Sequence, residues 1–369
     1  MIRRVPPFVP SVPYDALPPL PPPVQVSDSA TVLRREATAR QALGELKGVA
    51  NIIPNQAILI NAIALREAKD SSGIENIVTT HDRLYRAVVA TSSAAVDAST
   101  KEVIRYRSAL RIGESLVRKH GLLSVNHITE IQTEVVGNDA GIRAAPGTAL
   151  VNDRTGEVVY TPPQDPEVIR RLLSNFAEFY NGAATSLADM AVLHYQFETI
   201  HPFLDGNGRT GRILNVLYLI LKGYLEIPIL YPSSYIIEHK DDYYQFLRGV
   251  TAGGEWEQWI LFMLDAVLAT SLDTIEKVRE IRSELDRTVE EVRAAFPRIY
   301  TRELVETLFV HPYSKIEFLV NALGVERKAA SRYLKSLEEL GLLESLKVGR
   351  ERVYINLRLM NILSRAAAA

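Results

Sequence analysis

Helical periodicity through most of the chain is the feature that most constrains its fold. Between Thr31 and Leu268, apolar residues recur at intervals of three and four, and few alternating runs indicate strands. The clearest run comprises Leu187, Met190, Ala191, His194 and Phe197. Such stripes need partner helices to bury them, so we expect a mainly α-helical protein.

Composition excludes several classes of protein. The chain has 369 residues, enough for two or three domains of ~150 residues each. With 42 Lys and Arg against 44 Asp and Glu, its net charge is -2, so nucleic acid or an anionic membrane could be bound only by a local patch. Cysteine is absent, which excludes disulfides, thiolate metal sites and a cysteine nucleophile, and we expect a cytoplasmic protein. Apolar runs such as Val216–Leu221 fall short of the ~18 residues that span a bilayer, so we expect no membrane partner.

The N-terminus reads as an extended arm. Nine of the 19 prolines lie between Pro6 and Pro23, where missing amide donors disfavour helix and sheet. One alternative is that the arm is a ligand for a proline-reading module. The second is that it has no such partner and either packs on its own domain or is exposed to solvent. We favour the second alternative.

Residues 149–160 predict a β-hairpin. The β-prone runs Ala149–Val151 and Val158–Tyr160 flank five turn-forming residues, Asn-Asp-Arg-Thr-Gly. Further along, the charged stretch Thr274–Ala295 predicts a helix that links the core to the tail.

The tail resembles a winged helix. Three helices are predicted, at Arg302–Phe309, Lys315–Leu323 and Arg327–Leu340. The segment Glu344–Ile355 then predicts a hairpin turning at Lys347–Arg350. From Pro297 onward, 12 Lys and Arg against 8 Asp and Glu give a net charge of +4. DNA binding and protein contact both stay open, because +4 is weak for phosphate-driven affinity. The basic residues on or beside the third helix are Arg327, Lys328, Arg332 and Lys335.

The sequence HPFLDGNGRTGR, residues 201–212, carries the candidate chemistry between two predicted helices. Pro202 disfavours helical backbone at His201, so the first helix should end there. Gly206 and Gly208 bracket Asn207 at the start of the second helix. Unpaired amides and the positive end of a helix dipole favour an anion, so this segment predicts a phosphate cradle.

Charged neighbours extend the prediction from phosphate to nucleotide. Arg209 and Arg212 share one helix face and suit polyphosphate oxygens. Asp205 offers an oxygen ligand for Mg2+ held together with substrate phosphates. His201, with an ordinary pKa of ~6.5, can accept a proton near neutral pH. The pattern therefore predicts phosphoryl or nucleotidyl transfer, and because the sequence contains no Gly-Lys pair, a P-loop is excluded.

Residues 201–212 match the Fic signature His-Pro-Phe-x-Asp/Glu-Gly-Asn-Gly-Arg-x-x-Arg at every specified position. The chain thus resembles the longer bacterial members of the Fic/DOC family. This resemblance implies a helical bundle with a β-hairpin flap and a C-terminal winged helix. It also implies a protein adenylyltransferase, which moves AMP from ATP to a Ser, Thr or Tyr hydroxyl of a target protein.

The resemblance assigns a role to each motif residue. His201 would deprotonate the target hydroxyl, and Asp205 would hold Mg2+ against the α and β phosphates. Asn207 would form an anion hole with the flanking glycine amides, Arg209 would contact the phosphates, and Arg212 would grip the γ-phosphate. Tyr243 is singled out for nucleotide contact, although tyrosines at helical spacing are usually core residues. The predicted nucleotide-binding set is Gly206, Asn207, Gly208, Arg209, Thr210, Gly211, Arg212 and Tyr243.

A second segment, Ser71–Asn76, fits the inhibitory pattern Ser/Thr-x-x-x-Glu-Gly/Asn of the same family. In such members the glutamate pairs with the second arginine, so the resemblance predicts inhibition through Ser71 and Glu75, with Glu75 paired to Arg212. Ser72 and Glu75 also have the spacing of a capping box, worth ~1 kcal/mol to a helix that begins there, and the two interpretations are compatible.

The resemblance also sets the expected domains. They are a proline-rich arm (1–30), an N-terminal helical region with the inhibitory helix (31–100), a catalytic core (101–270), a linker helix (271–296) and a winged-helix-like domain (297–369). The hairpin would be the flap that holds the target segment by strand addition.

Two other functions stay open. One is a hydrolase that removes AMP at the same site, with Glu75 positioning a water. The other is a DNA-binding regulator that senses nucleotide. The partners to be tested are a protein with a target hydroxyl, the chain itself through auto-AMPylation, DNA, and a second copy of the chain.

Overall fold

The computed structural model describes residues 8–15, 17–22, 29–80, 83, 84, 87, 96–152, 154–348 and 351–365. These residues are mainly helical, as the periodicity predicts. They form two compact units. The first comprises Met1–Gln41, Ser108–Glu226 and Pro232–Ala269, and the second comprises Ala42–Arg107, Ile227–Tyr231 and Thr270–Ala369.

The helices and strands follow in chain order. The elements before the site are α1 (Ala30–Ala50), α2 (Ala57–Ile74), α3 (Ala98–His120), α4 (Val125–Val136), β1 (Leu150–Val151), β2 (Val158–Tyr160) and α5 (Pro166–Asn181). The site helices and their successors are α6 (Leu187–Ile200), α7 (Asn207–Leu221), α8 (Ser233–Glu238), α9 (Lys240–Gly253) and α10 (Trp256–Ala295). The tail contains α11 (Arg302–Val310), β3 (Tyr313–Ser314), α12 (Ile316–Leu323), α13 (Arg327–Glu339), β4 (Leu343–Val348), β5 (Glu351–Asn356) and α14 (Leu357–Ser364).

Helices α5, α6 and α7 form the core of the first unit, and α6 is buried on almost every side. The start of α6 is fixed locally by a capping box between Ser186 and Asp189. Buried tyrosines then join the helices, because the Tyr180 hydroxyl donates to the carbonyl of Leu214 at 2.7 Å and the Tyr218 hydroxyl donates to that of Ser186 at 2.8 Å. The middle of α7 is thereby joined to α5, and the C-terminal half of α7 is joined to the start of α6.

The predicted hairpin is confirmed, since β1 and β2 pair antiparallel. Its turn is fixed by the Asn152 side chain, whose Oδ1 accepts from the amides of Arg154 at 2.9 Å and Thr155 at 3.2 Å. Gly156 follows with a φ of 71°. Asp153 lies outside the described residues.

The described part of the proline-rich arm lies on its own unit, in agreement with the favoured alternative. The Tyr14 amide donates to the Thr161 carbonyl at 3.0 Å, just after β2. The Asn175 side chain binds both backbone groups of Leu20, accepting from its amide at 2.6 Å and donating to its carbonyl at 2.9 Å. Leu17 and Leu20 are buried. The arm is therefore part of the packed structure.

The second unit joins α2 to the tail. A buried cluster comprises Leu65 of α2 with Tyr313, Val353 and Ile355 of the tail sheet. That sheet has the order β3-β5-β4 and is antiparallel. The three tail helices and the hairpin are confirmed as elements, whereas β3 and α14 were not predicted. The turn residues 349 and 350 lie outside the described residues.

Two predictions about helices need correction. The helix predicted at Thr274–Ala295 begins at Trp256, because the apolar pattern before residue 274 continues into the charged stretch without a break. In the described part of the chain, this helix has the length and apolar composition of a membrane span, but 61% of its most apolar stretch is buried, as in a core helix. The capping box is wrong as well: α2 ends at Ile74, and the Glu75 amide donates to the Ser72 carbonyl at 3.0 Å.

Replacing Asn175 with Ala tests how the arm is held. Loss of the two hydrogen bonds to Leu20 should lower the free energy of unfolding by about 1–2 kcal/mol. It should also speed chymotrypsin cleavage after Tyr14. Thermal denaturation and limited proteolysis measure the two effects, with Glu167→Ala on the same helix as the control. Equal cleavage rates in the two variants would show that the arm is held by other contacts.

Candidate active site

The site begins where α6 ends. His201 caps this helix in the left-handed conformation, with φ 47° and ψ 59°, and its amide donates to the Phe197 carbonyl at 3.0 Å. Pro202 explains the change in direction, because a following proline excludes helical backbone. The prediction that the helix ends at His201 is confirmed, and the half-buried imidazole stands at the entrance to the loop.

A second left-handed residue, Gly206, starts α7. Its φ is 77°, and a Cβ built there would lie 2.7 Å from Cγ1 of Val136 and 3.3 Å from Cγ1 of Val135. Only glycine combines that backbone with so close an approach of α4. The first amides of α7, from Asn207 onward, have no acceptor within their own helix, which is the arrangement that the predicted phosphate cradle requires.

Asn207 closes the loop between the two helices. Its Oδ1 accepts from the Phe203 amide at 2.9 Å, and its Nδ2 donates to the Phe203 carbonyl at 2.8 Å. The residue is 3% exposed. Its side-chain amide is thus engaged with the loop, and only its backbone remains for the predicted anion hole.

Asp205 presents its carboxylate at the surface. The side chain is 69% exposed, and Oδ1 accepts from the Gly206 amide at 2.6 Å and from Nη2 of Arg209 at 3.1 Å. Among the described residues, no group of three or more His, Asp or Glu side chains could form a complete metal cage. One exposed carboxylate fits Mg2+, which takes few protein ligands and keeps water and phosphates as the others.

The predicted arginines are both buried, with 2% of Arg209 and 3% of Arg212 exposed. Gly211 lies between them at a close helix contact, where a Cβ would come within 2.5 Å of Oε1 of Glu198 and 3.1 Å of Cδ1 of Phe197. Thr210 is fully buried. The structure therefore brings the two cations to the start of α7, and it uses Gly211 to pack α7 against α6.

Tyr243 lies in the core. It is 2% exposed, and its hydroxyl is 2.9 Å from Nε2 of His194. Burial and, to a lesser extent, the charge of Arg212 lower the pKa of His194 to about 3, so the ring is neutral at physiological pH. His194 also stacks on Trp259 with ring centroids 5.9 Å apart. These contacts support the core alternative for Tyr243 rather than nucleotide contact.

Sequence reasoning missed the residues that hold the loop from outside. Nε of Arg143 donates to the His201 carbonyl at 2.8 Å, and the Arg143 amide donates to the Pro202 carbonyl at 2.9 Å. Nε2 of Gln132 donates to the Asp205 carbonyl at 3.0 Å. All these acceptors are backbone carbonyls. Because every residue has one, the sequence does not reveal which of them Arg143 and Gln132 bind.

Three family models match the chain. "Fic/DOC family N-terminal" matches residues 33–115, "Fic/DOC family" matches 122–219, and "Protein adenylyltransferase SoFic-like, C-terminal domain" matches 285–359. The chain belongs to the Fic/DOC family.

Curated relatives agree over part of their length. Protein adenylyltransferase fic-1 of Caenorhabditis elegans is 31% identical over 160 residues, which cover 41% of this chain and 29% of that protein. Protein adenylyltransferase Fic of Aedes aegypti is 28% identical over 174 residues, which cover 46% of this chain and 33% of that protein. The chain spans only about a third of the length of these relatives.

Solved structures share the fold. A Fic family protein from Desulfovibrio desulfuricans G20 aligns with a TM-score of 0.59 and 17% identity, covering 89% of this chain and 96% of that one. Fic-1 from C. elegans aligns with a TM-score of 0.51 and 21% identity, and the alignment covers 67% of this chain and 73% of that one. Together with the helical core, these alignments show a Fic fold.

Replacing Gly206 with Ala tests the close approach at the start of α7. Gly156 has a similar φ of 71° with nothing near its missing Cβ, so Gly156→Ala measures the backbone cost alone, about 1 kcal/mol. Gly206→Ala adds the overlap with α4 and should cost about 3 kcal/mol in total. Chemical denaturation of both variants gives the difference, and equal costs would mean that Val136 moves aside freely.

Proposed function

We propose that this protein transfers AMP from ATP to a hydroxyl group of a target protein. One observation carries the proposal: the left-handed Gly206 starts a helix whose first turn has unpaired amides and two buried arginines, and His201 stands at the end of the preceding helix. The relatives named protein adenylyltransferase support this activity.

In the proposed reaction each motif residue has one task. The target oxygen bonds to the α-phosphorus of ATP, the bond from that phosphorus to the bridging oxygen breaks, and pyrophosphate leaves. His201 accepts the hydroxyl proton, which requires a neutral imidazole. Arg209 and Arg212 stabilise negative charge on the phosphates, and the first amides of α7 hold the nucleotide. Asp205 would hold Mg2+, which when bound offsets phosphate charge.

We also propose that Glu75 restrains the activity by pairing with Arg212, and that Ser71 belongs to the same inhibitory segment. A capping box does not account for Glu75, since this residue lies at the C-terminal end of α2 rather than in the first turn of a helix. A carboxylate there is disfavoured by the helix dipole by roughly 0.3–1 kcal/mol, so helix stability does not explain it. Asn76 follows at φ 63°, which explains why the pattern requires Gly or Asn at this position.

Labelled ATP tests both proposals. Glu75→Gly should raise transfer of the label to the chain itself or to lysate proteins at least tenfold, and adding His201→Ala should abolish it. Glu75→Gln controls for charge: it should also activate if the ion pair inhibits. No labelling by Glu75→Gly would contradict the proposed activity.

The reverse reaction is tested on AMP-modified target. A hydrolase that uses Glu75 to position water would lose AMP removal in Glu75→Gly, whereas a transferase restrained by Glu75 would gain AMP addition. The two functions therefore predict opposite effects of one substitution.

A second candidate function, DNA binding by the tail, is favoured by the placement of basic side chains. Lys328, Arg332 and Lys335 are exposed on one face of α13. Lys347 and Arg352 stand directly opposite each other on the β4–β5 hairpin, and both are exposed. Like charges directly opposite destabilise a strand pair, so a bound anion would stabilise this arrangement.

Duplex DNA in a fluorescence anisotropy titration tests this surface in the full chain. Each lost phosphate contact should reduce the magnitude of the slope of log affinity against log salt by about 1. A variant in which four basic residues of α13 are replaced by Gln should therefore reduce it by about 4. Binding unaffected by the substitutions, or absent at low salt, would contradict the proposal. The variant replaces Arg327, Lys328, Arg332 and Lys335, and its control replaces Lys101, Lys119, Arg170 and Arg171.

A further inference from the structure

The carbonyls at the end of α6 are held by one side chain from outside the helix. The last carbonyls of any helix lack partners within it. Here Arg143 donates from Nε to the His201 carbonyl at 2.8 Å and from Nη2 to the Ile200 carbonyl at 3.3 Å. Its backbone amide donates to the Pro202 carbonyl at 2.9 Å, and Nη2 also donates to the Pro163 carbonyl. Residue 143 thus holds three consecutive carbonyls around the candidate base.

Two further contacts hold the backbone around His201, one from the residue before Arg143 and one from β2. Ile142 forms a β-bridge with Phe203, and the Tyr160 hydroxyl donates to the Thr199 carbonyl at 2.8 Å. The backbone from Thr199 to Phe203 is therefore tied to residues 142–160 at every position. His201 lies in the middle of this tied stretch.

A need for stability alone does not explain an arginine at position 143, because burying its charge is energetically unfavourable. It is 2% exposed, and the acceptors that bind its guanidinium in the described structure are neutral carbonyls. Burial lowers the pKa of this guanidinium, which reflects the cost of placing the charge there. Even a buried ion pair can often be replaced by apolar residues of similar volume without loss of stability, so a buried charge is weak evidence of a purely stabilising role. What an apolar residue cannot do is hold several carbonyls in fixed directions, which the planar fork of arginine does.

The local sequence does not by itself explain the backbone of His201. Pro202 disfavours helical backbone at His201 and favours extended backbone, whereas His201 has a left-handed φ of 47°. Tertiary contacts must therefore hold this turn, and the bonds from Arg143 to the carbonyls of Ile200 and His201 are among them. A displacement of about 1 Å at a reacting group can lower a rate about 100-fold.

We propose that Arg143 is a positioning residue, which sets the location of the His201 imidazole by binding the main-chain carbonyl of His201. This inference rests on the proposed AMP transfer. It predicts that loss of the fork lowers kcat and leaves ATP binding almost unchanged, because the nucleotide is held by α7.

The test compares Arg143→Met with Arg170→Met in the full chain carrying Glu75→Gly. Arg170 is an exposed arginine on α5, so the second variant makes the same chemical change at the surface. Arg143→Met should lower kcat for AMP transfer 10- to 100-fold and change the Kd for ATP less than threefold. In Arg143→Ala, which leaves space for it, millimolar methylguanidine should restore a measurable part of kcat, and it should restore none in His201→Ala. Arg143→Lys should be intermediate, since an ammonium group cannot reach all the carbonyls.

Imidazole NMR gives a readout that does not depend on transfer. The chain has seven histidines, and the His201 signal is the one that disappears in His201→Ala. Its chemical shift or its pKa should change in Arg143→Met and not in Arg170→Met. If the parent chain transfers no AMP, the proposed function fails, and the NMR comparison still decides the role of Arg143.

Two results would overturn the inference. The first is a folded Arg143→Met variant with an unchanged His201 signal and kcat within twofold of the parent. The second is a general loss of structure, in which thermal stability, ATP affinity and kcat fall together and methylguanidine restores nothing.

Discussion

The site depends on two left-handed residues, His201 and Gly206, placed five positions apart. Together they let the chain leave one buried helix and enter another without an intervening strand or long loop. The first precedes a proline, which disfavours continuation of the helix, and the second requires glycine. So tight a connection leaves carbonyls and amides that no helix satisfies, and Asn207, Gln132 and Arg143 supply the missing partners. The signature motif is in this sense as much a folding constraint as a list of reactive groups.

Buried positive charge is the second constraint. Arg143, Arg209 and Arg212 are each almost fully buried in or beside this connection. Burial, together with the charge of Arg212, lowers the pKa of His194 and keeps its ring neutral. The positive charge of Arg209 is partly offset by the exposed carboxylate of Asp205. A polyphosphate at the start of α7 would place negative charge where the protein has already gathered the opposite sign, and positive charge held there in advance is what catalysis of phosphate transfer requires.

Sequence alone predicted what is encoded locally. Proline and glycine at fixed spacing determine the end of α6 and the start of α7, and the turn residues determine the β1–β2 hairpin. It failed where a residue acts on distant backbone or packs in a way that only the tertiary fold decides. Arg143 binds carbonyls some 20 to 60 positions away, which no spacing rule reveals. Tyr243 offered a pattern equally suited to core and to ligand contact. Ser72 and Glu75 have capping-box spacing, but the apolar residues that define α2 lie before them rather than after them.

The position of Glu75 is itself a property of tertiary packing. Helix α2 is buried on most of its surface, so its location follows from its partners rather than from its own amphipathicity. Those partners are tail elements: Leu65 packs in the sheet cluster, and Nδ2 of Asn61 donates to the Val310 carbonyl at 3.3 Å. Arg66 pairs with Asp273 at 3.3 Å in the same unit. Any event that shifts α11 or the tail sheet must therefore move the helix that carries Glu75 or break these contacts. The proposed inhibition and the proposed DNA-binding surface thus share one packed unit, and a ligand on the tail could change inhibition without touching the site.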